Sequence, residues 1–234
     1  MRGSPSTRSS TAVKRALLLA VLLAGCAAPP PPPPASAPVA DNAAGWYRAA
    51  AAAGAKVLAI DPAQSLIAVT VRRGGPLARL GHDHVVASRA VTGFAAPAQG
   101  RADFSFRLDQ MTVDEPALRL EAGLDTQPSS EAIAGTRTNM LGRVLEADRF
   151  PLVALHARQA PGGPLLLSIT LHGTTRTMTV PARVEAAADG VTASGTLQLR
   201  QSDFGITPMS VMGGAMTVLD PLELRFRIVA RPAR

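Results

Sequence analysis

The chain of 234 residues has one cysteine, so no internal disulfide is available and the fold must rest on its core. Aromatic side chains are also scarce: six Phe, one Trp and one Tyr offer few rings on which bases could stack. The apolar run "ALLLAVLLAG" (16 to 25) is far too short to span a bilayer as a helix. There is no Gly-x-Ser-x-Gly elbow and no Cys/His pair, which leaves covalent catalysis without a candidate nucleophile. "SDFG" (202 to 205) has no glycine-rich loop or catalytic-loop companion, so it is not the kinase motif.

What is present begins with a leader. Arg2, Arg8, Lys14 and Arg15 precede the apolar run, which ends at Cys26, the order of a charged region, a hydrophobic region and a small-residue cleavage site. "LAGC", Leu23 to Cys26, resembles a bacterial lipobox, at which lipoprotein signal peptidase cuts before the cysteine. Residues 1–25 are therefore expected to be a signal peptide. Cys26 is expected to carry diacylglycerol and palmitate-type chains, and Ala27 in the next position resembles outer-membrane retention. Cleavage would remove four of the 24 basic residues and none of the 17 acidic ones, lowering the formal charge from +7 to +3. A nucleic-acid partner is not supported by so small a charge.

Residues 26–56 read as a lipidated linker. Six consecutive prolines at 29 to 34 favour extended polyproline II, a spacer of roughly 20 Å at about 3.1 Å per residue. "GWYRAAAAAGAK" (45 to 56) is Ala-rich but too short to be a stable isolated helix, and is expected outside the core.

From residue 57 the pattern alternates. In "RADFSFRLD" (101 to 109), Ala102, Phe104, Phe106 and Leu108 face one way, and Arg101, Asp103, Ser105 and Arg107 the other. "PLELRFRIVA" (221 to 230) repeats this with Leu222, Leu224, Phe226 and Ile228. "TMTVPARV" (177 to 184) does so around Pro181, which predicts a ladder gap. Further strands are expected at 57–60, 65–72, 84–94, 152–157, 165–171 and 191–200, about nine in all. One amphipathic helix is expected within 130–148, carrying Ile133, Met140, Leu141, Val144 and Leu145 between Pro128-Ser129 and Phe150-Pro151. The predicted fold is all-β, an antiparallel eight-stranded barrel or a sandwich over residues 57–234. Its inward positions are mostly aliphatic, which suits a hydrocarbon ligand.

The order of several segments resembles the YceI-like domain family. They are Ile60, Asp61 and Ser65; "TGF" (92 to 94); "ADFSFRL" followed by Val113-Asp114; "GTRTNMLGRVLEADRFPLVAL" (135 to 155); "ITLHGTTRTMTV" (169 to 180); and "LRQSDFGI" (199 to 206). The resemblance implies a lipocalin-like barrel and a polyisoprenoid ligand. This sequence departs from the family's common Arg-Asp-x-His-Leu run, since Arg137 is followed by Thr138, Asn139, Met140 and Leu141.

Taken together, these readings predict a non-enzymatic lipoprotein of the cell envelope, in the outer membrane and facing the periplasm. It would hold a polyisoprenoid or an isoprenoid quinone and need no other cofactor. Phe104, Phe106, Met140, Leu141, Leu145, Leu167, Ile169, Leu171 and Phe226 are the expected cavity lining. His82, His84 and Arg137 are expected at a polar mouth. "GHDH" (81 to 84) leaves three readings open: contact with a ligand head group, plain structure, or a metal-dependent enzyme recruiting His156 or His172 as a third ligand. Met209, Met212 and Met216 raise a Cu(I) reading beside the plainer one of apolar filling. A module docking a membrane redox protein is a further alternative.

Overall fold

The computed structural model describes residues 39–232. The expected signal peptide, Cys26 and the proline run lie outside the described residues. Fifteen strands occur among those described: β1 Leu58–Ile60, β2 Leu66–Val71, β3 Arg73–Gly74, β4 His84–Ser88, β5 Thr92–Ala96, β6 Arg101–Arg107, β7 Thr112–Val113, β8 Leu152–Gln159, β9 Leu165–Leu171, β10 Thr174–Val180, β11 Ala182–Ala187, β12 Gly190–Arg200, β13 Ser210–Val211, β14 Met216–Val218 and β15 Pro221–Arg231. The helices are α1 Val39–Ala52, α2 Pro116–Glu121 and α3 Ser130–Asn139.

The sequence-based count of about nine strands is too low. The strand expected at 84–94 divides into β4 and β5. The one expected at 177–184 belongs to β10 and β11, interrupted at Pro181, which has no N–H to donate to a ladder. Four strands of two or three residues, β3, β7, β13 and β14, are too short to show alternation. The single predicted helix is also a correction. It is shorter, α3 alone, with Ser129 Oγ accepting from Ala132 N at 3.2 Å as N-cap. A π-helical turn over Met140–Val144 follows it, with Leu145 N bonded to Met140 O at 2.9 Å. Residues 41–56, expected outside the core, contribute most of α1, and its Tyr47 is 1% exposed.

All ladders are antiparallel, and the main sheet runs β10-β9-β8-β6-β5-β1-β15-β2-β4-β7. β15 is its axis. β12 pairs along one side of it from Val191↔Ala230 to Arg200↔Pro221. On the other side β2 pairs with residues 223–227 and β1 with residues 230–231. Ser65 bridges the break between β1 and β2: its buried Oγ accepts from Val229 N at 3.1 Å, while Asp61 N donates to Val229 O at 2.8 Å. β10 lies on β9, whereas β11 lies on β12, so one stretch of chain kinked at Pro181 runs from the β9 end of the sheet to the strand beside β15. Gly195 fits this seam. A Cβ there would lie 2.5 Å from Pro181 O and 3.0 Å from the Phe226 ring.

The main core lies on one face of the sheet and includes Leu58, Val91, Phe106, Leu155, Ile169, Phe204 and Ile228. Helices cover two patches of the opposite face. Leu118 of α2 packs with Ala68, Val85 and Ala87, and Ala43 and Tyr47 of α1 pack with Ala96.

Candidate functional site

The inward-facing side chains do not fill the interior. Two cavities lie along it, of about 450 Å³ and about 160 Å³. The register explains their position, since Phe104, Leu155 and Ile169 are in step across β6, β8 and β9. Phe226 stands opposite Ile67 on β2, and opposite Gly195 on β12. Ile67, Leu155, Ile169 and Leu224 border both cavities and divide them. Of the expected lining, Phe104, Leu167 and Phe226 border the smaller cavity, while Phe106, Met140, Leu145 and Leu171 border the larger. Ile169 borders both. Leu141 packs against the core cluster and borders neither cavity.

Polar side chains in the larger cavity include His82, His84, Thr136, Asn139 and Gln201. His84 opens β4, whereas His82 lies in the irregular stretch before it, so strand alternation does not place both rings on one face. Their centroids are 6.2 Å apart. His84 Nδ1 lies 2.6 Å from Asp114 Oδ2, and its Nε2 lies 3.3 Å from Thr136 Oγ1 of α3. An ionised carboxylate only accepts, so Nδ1 carries the proton donated to Asp114.

Asp114 is in turn held from behind. Val85 N donates to its Oδ1 at 3.0 Å and Arg119 Nη1 does so at 2.6 Å. Arg119 is 2% exposed, and it also donates to Asp83 O and Thr126 O, each at 2.8 Å. Burial opposes ionisation of Asp114, but hydrogen bonds from His84, Val85 and Arg119 outweigh it and hold the carboxyl below the ordinary range. His84 is thus a fixed wall residue on a buried ionic support. Nothing in the spacing of residues 84, 114 and 119 announces this. The β4–β7 ladder, Val86↔Val113 and Ala87↔Thr112, creates it.

The remaining candidates separate. Arg137 donates to Asp109 O and Met111 O, tying α3 to that loop, and borders neither cavity. His172 Nε2 lies 3.2 Å from Glu146 Oε1, and His156 Nδ1 contacts Asp103, so neither histidine joins His82 and His84. Among the described residues no three His, Cys, Asp or Glu side chains converge in metal-ligand geometry. Asp83 of the "GHDH" stretch is a loop clasp, accepting from Arg73 N at 2.9 Å and from Arg72 Nη1 at 3.4 Å. Met209 and Met216 border the larger cavity, whereas Met212 is 66% exposed.

A second polar constellation lies under α1. Alternation turns Asp103 outward, yet it is 4% exposed because the helix covers it. Tyr47 OH donates to its Oδ2 at 2.7 Å and Arg101 Nε does so at 2.5 Å; the Arg101 guanidinium lies 4.1 Å from the Trp46 ring centroid. Burial pushes the Asp103 carboxyl up, but hydrogen bonds from His156, Arg101 and Tyr47 hold it below its ordinary value. Tyr47 is pushed well above the usual phenol range by burial, by its bond to Asp103 and by the carboxylate's charge.

An antiparallel sheet wrapped around an aliphatic interior, with helices on its outer face, defines a small β domain of the lipocalin-like class. Residues 58–230 match the YceI-like domain model, and the chain belongs to that family. Among solved structures, a polyisoprenoid-binding domain from Saccharophagus degradans, implicated in plant cell wall breakdown, superposes with a TM-score of 0.55 at 9% identity. That match covers 75% of this chain and 98% of the other. Burkholderia cenocepacia BcnA gives a TM-score of 0.50 at 17% identity, covering 73% and 99%. Comparison with curated proteins returns no match.

Proposed function

We propose that the protein binds a long apolar lipid, a polyisoprenoid or the tail of an isoprenoid quinone, inside the sheet. The observation that carries this reading is the larger cavity. Its volume of about 450 Å³ falls within the range of ligand sites, roughly 300–1,000 Å³, and its wall is mostly aliphatic. The driving force is removal of hydrocarbon from water, about 4 kcal/mol per five-carbon unit before ordering costs. The head group rests by His82 and His84, and the chain runs inward past Ile169. Membership of the YceI-like family and the fold shared with the polyisoprenoid-binding domain of Saccharophagus degradans support this reading.

The sheet acts as an eight-stranded barrel in this reading, with β1–β2, β4–β5, β6–β7 and β10–β11 each forming one interrupted stave beside β8, β9, β12 and β15. The shared stretch at Pro181 supports closure. The protein works as an acylated, periplasm-facing lipoprotein of the outer membrane, a reading supported by "LAGC".

Mass spectrometry of lipid co-purified with the protein from a native membrane tests the ligand. A stoichiometric polyprenyl species is expected. Bulk phospholipid alone, together with no binding of a polyprenyl probe, would overturn the reading. Cys26→Ser is expected to abolish acylation and leave the leader uncleaved. Mature protein beginning at another residue, or without acyl chains, would overturn the anchor.

A further inference from the structure

We propose that the rim of the larger cavity is a docking surface for an anionic phospholipid bilayer. The proposal rests on the lipid-binding reading and adds the source from which the cavity is filled.

The rim is built from two segments held together. Arg73 and Gly74 of β3 pair with Val218 and Thr217 of β14, Leu77 N donates to Ala215 O at 2.8 Å, and Leu219 N donates to Arg72 O at 2.8 Å. Three of the large apolar side chains most exposed to water sit on this one unit: Met212 at 66%, Leu80 at 57% and Leu219 at 44%. They are continuous with the interior. Leu80 itself borders the larger cavity, and Met212 and Leu219 adjoin the lining residues Val211 and Val218.

Met212 is also held at φ 53°, a left-handed conformation uncommon for an unbranched apolar residue, at the head of the turn Met212-Gly213-Gly214. A side chain that is two-thirds exposed on a strained backbone has little of its apolar surface covered by the fold. It gains from an apolar phase outside.

Charge selects which apolar phase. Three acids near the rim are engaged: Asp83 with Arg72 and Arg73, Glu223 with Arg72, and Asp220 with Arg200, while Asp203, two residues beyond Gln201, is exposed without an ion pair among the described residues. Arg79, exposed next to Leu80, has no ion-pair partner among the described residues. An apolar rim whose exposed Leu80 adjoins an unpaired arginine complements acyl chains beneath anionic head groups. A lipid would then pass from bilayer to cavity without crossing water.

The test uses the chain from Ala27 onward, made without residues 1–26, so that neither the leader nor an acyl anchor contributes. An environment-sensitive dye is placed on Met212→Cys and, as control, on Thr177→Cys of β10. With phosphatidylcholine vesicles containing phosphatidylglycerol, the dye at position 212 is expected to shift to the blue and the one at 177 not. Met212→Ser with Leu219→Ser, neither of which borders the cavity, is expected to slow transfer of a polyprenyl probe from vesicles by about tenfold or more, while affinity for the probe in vesicle-free solution stays unchanged. Arg79→Ser is expected to lose the preference for phosphatidylglycerol. No shift at 212, equal shifts at both positions, or unaltered transfer by the rim variant would overturn the proposal. So would a shift at 212 that appears without vesicles as protein concentration rises, which would mark a contact between copies. A dye that enters vesicles in a protein unable to bind any probe would uphold the rim and overturn the cavity reading.

Discussion

Asp114 turns a histidine that reads as a metal or acid–base candidate into a fixed part of a wall. The carboxylate sits between His84 and the buried Arg119, so removing it strands a guanidinium away from water. Asp114→Asn is expected to cost about 3–5 kcal/mol in urea unfolding at neutral pH. The pH dependence follows from the direction of its shift. The folded carboxyl titrates below the unfolded value of about 3.9, so the unfolded chain binds more protons in acid. Its stabilisation is complete above that value and fades as pH falls through the lower folded one. Asp103 behaves in the same sense. Urea midpoints taken from about pH 5 down to about pH 2 should fall steeply in the wild type and less so in the variant. Parallel profiles would mean that the ionic support of His84 contributes nothing.

At the scale of elements, α1 is held by one buried phenol and a stacked arginine. Tyr47→Phe removes a hydrogen bond to a carboxylate, about 2 kcal/mol, and should release the helix before the sheet. Trp46 is the only tryptophan and lies against Arg101, so its fluorescence reports the release directly. The fluorescence transition should move to lower urea than the far-UV circular dichroism transition. Coincident transitions would show helix and sheet unfolding as one unit.

This helix also marks where sequence reasoning stops. β9 was legible end to end at 165–171, because Leu165, Leu167, Ile169 and Leu171 alternate without interruption. β6 was legible too, and its pattern suffices to turn Phe104 and Phe106 inward. The same pattern turns Asp103 outward, which it does, but a periodicity of two says nothing of what lands on the outer face. The Ala-rich stretch of α1 has no strong apolar stripe of its own. Its stability comes from tertiary contacts that no local window contains. The π turn after Asn139 likewise replaces the continued helix that the spacing of Met140, Val144 and Leu145 suggested.

Whether inward aliphatic side chains meet or leave a space is a property of the whole molecule. Alternation identifies the side chains but not the radius at which the sheet holds them. Ile169, 3% exposed and bordering both cavities, is the position that distinguishes the two outcomes. Ile169→Asn sets an amide among hydrocarbons. In a solid core it would cost about 1–3 kcal/mol whether or not ligand is present. Beside a cavity that takes in water when empty, the loss should fall mainly on binding. Melting with and without a polyprenyl probe is expected to show a large drop in ligand-induced stabilisation and a smaller drop for the empty protein. Equal losses in both states, with no probe binding by the wild type, would mean the interior is packed shut.

The place of β15 in the chain sets a schedule. Residues 221–231 supply the ladder partners of β1, β2 and β12, elements that begin as early as residue 58. Until residues 221–231 have left the ribosome, β1 and β2 have no neighbour on that side and the interior has no complete wall. Contacts that span so much sequence also form slowly. A nascent chain of this design therefore cannot complete the domain until residue 231 has been made, whatever order its other elements form in.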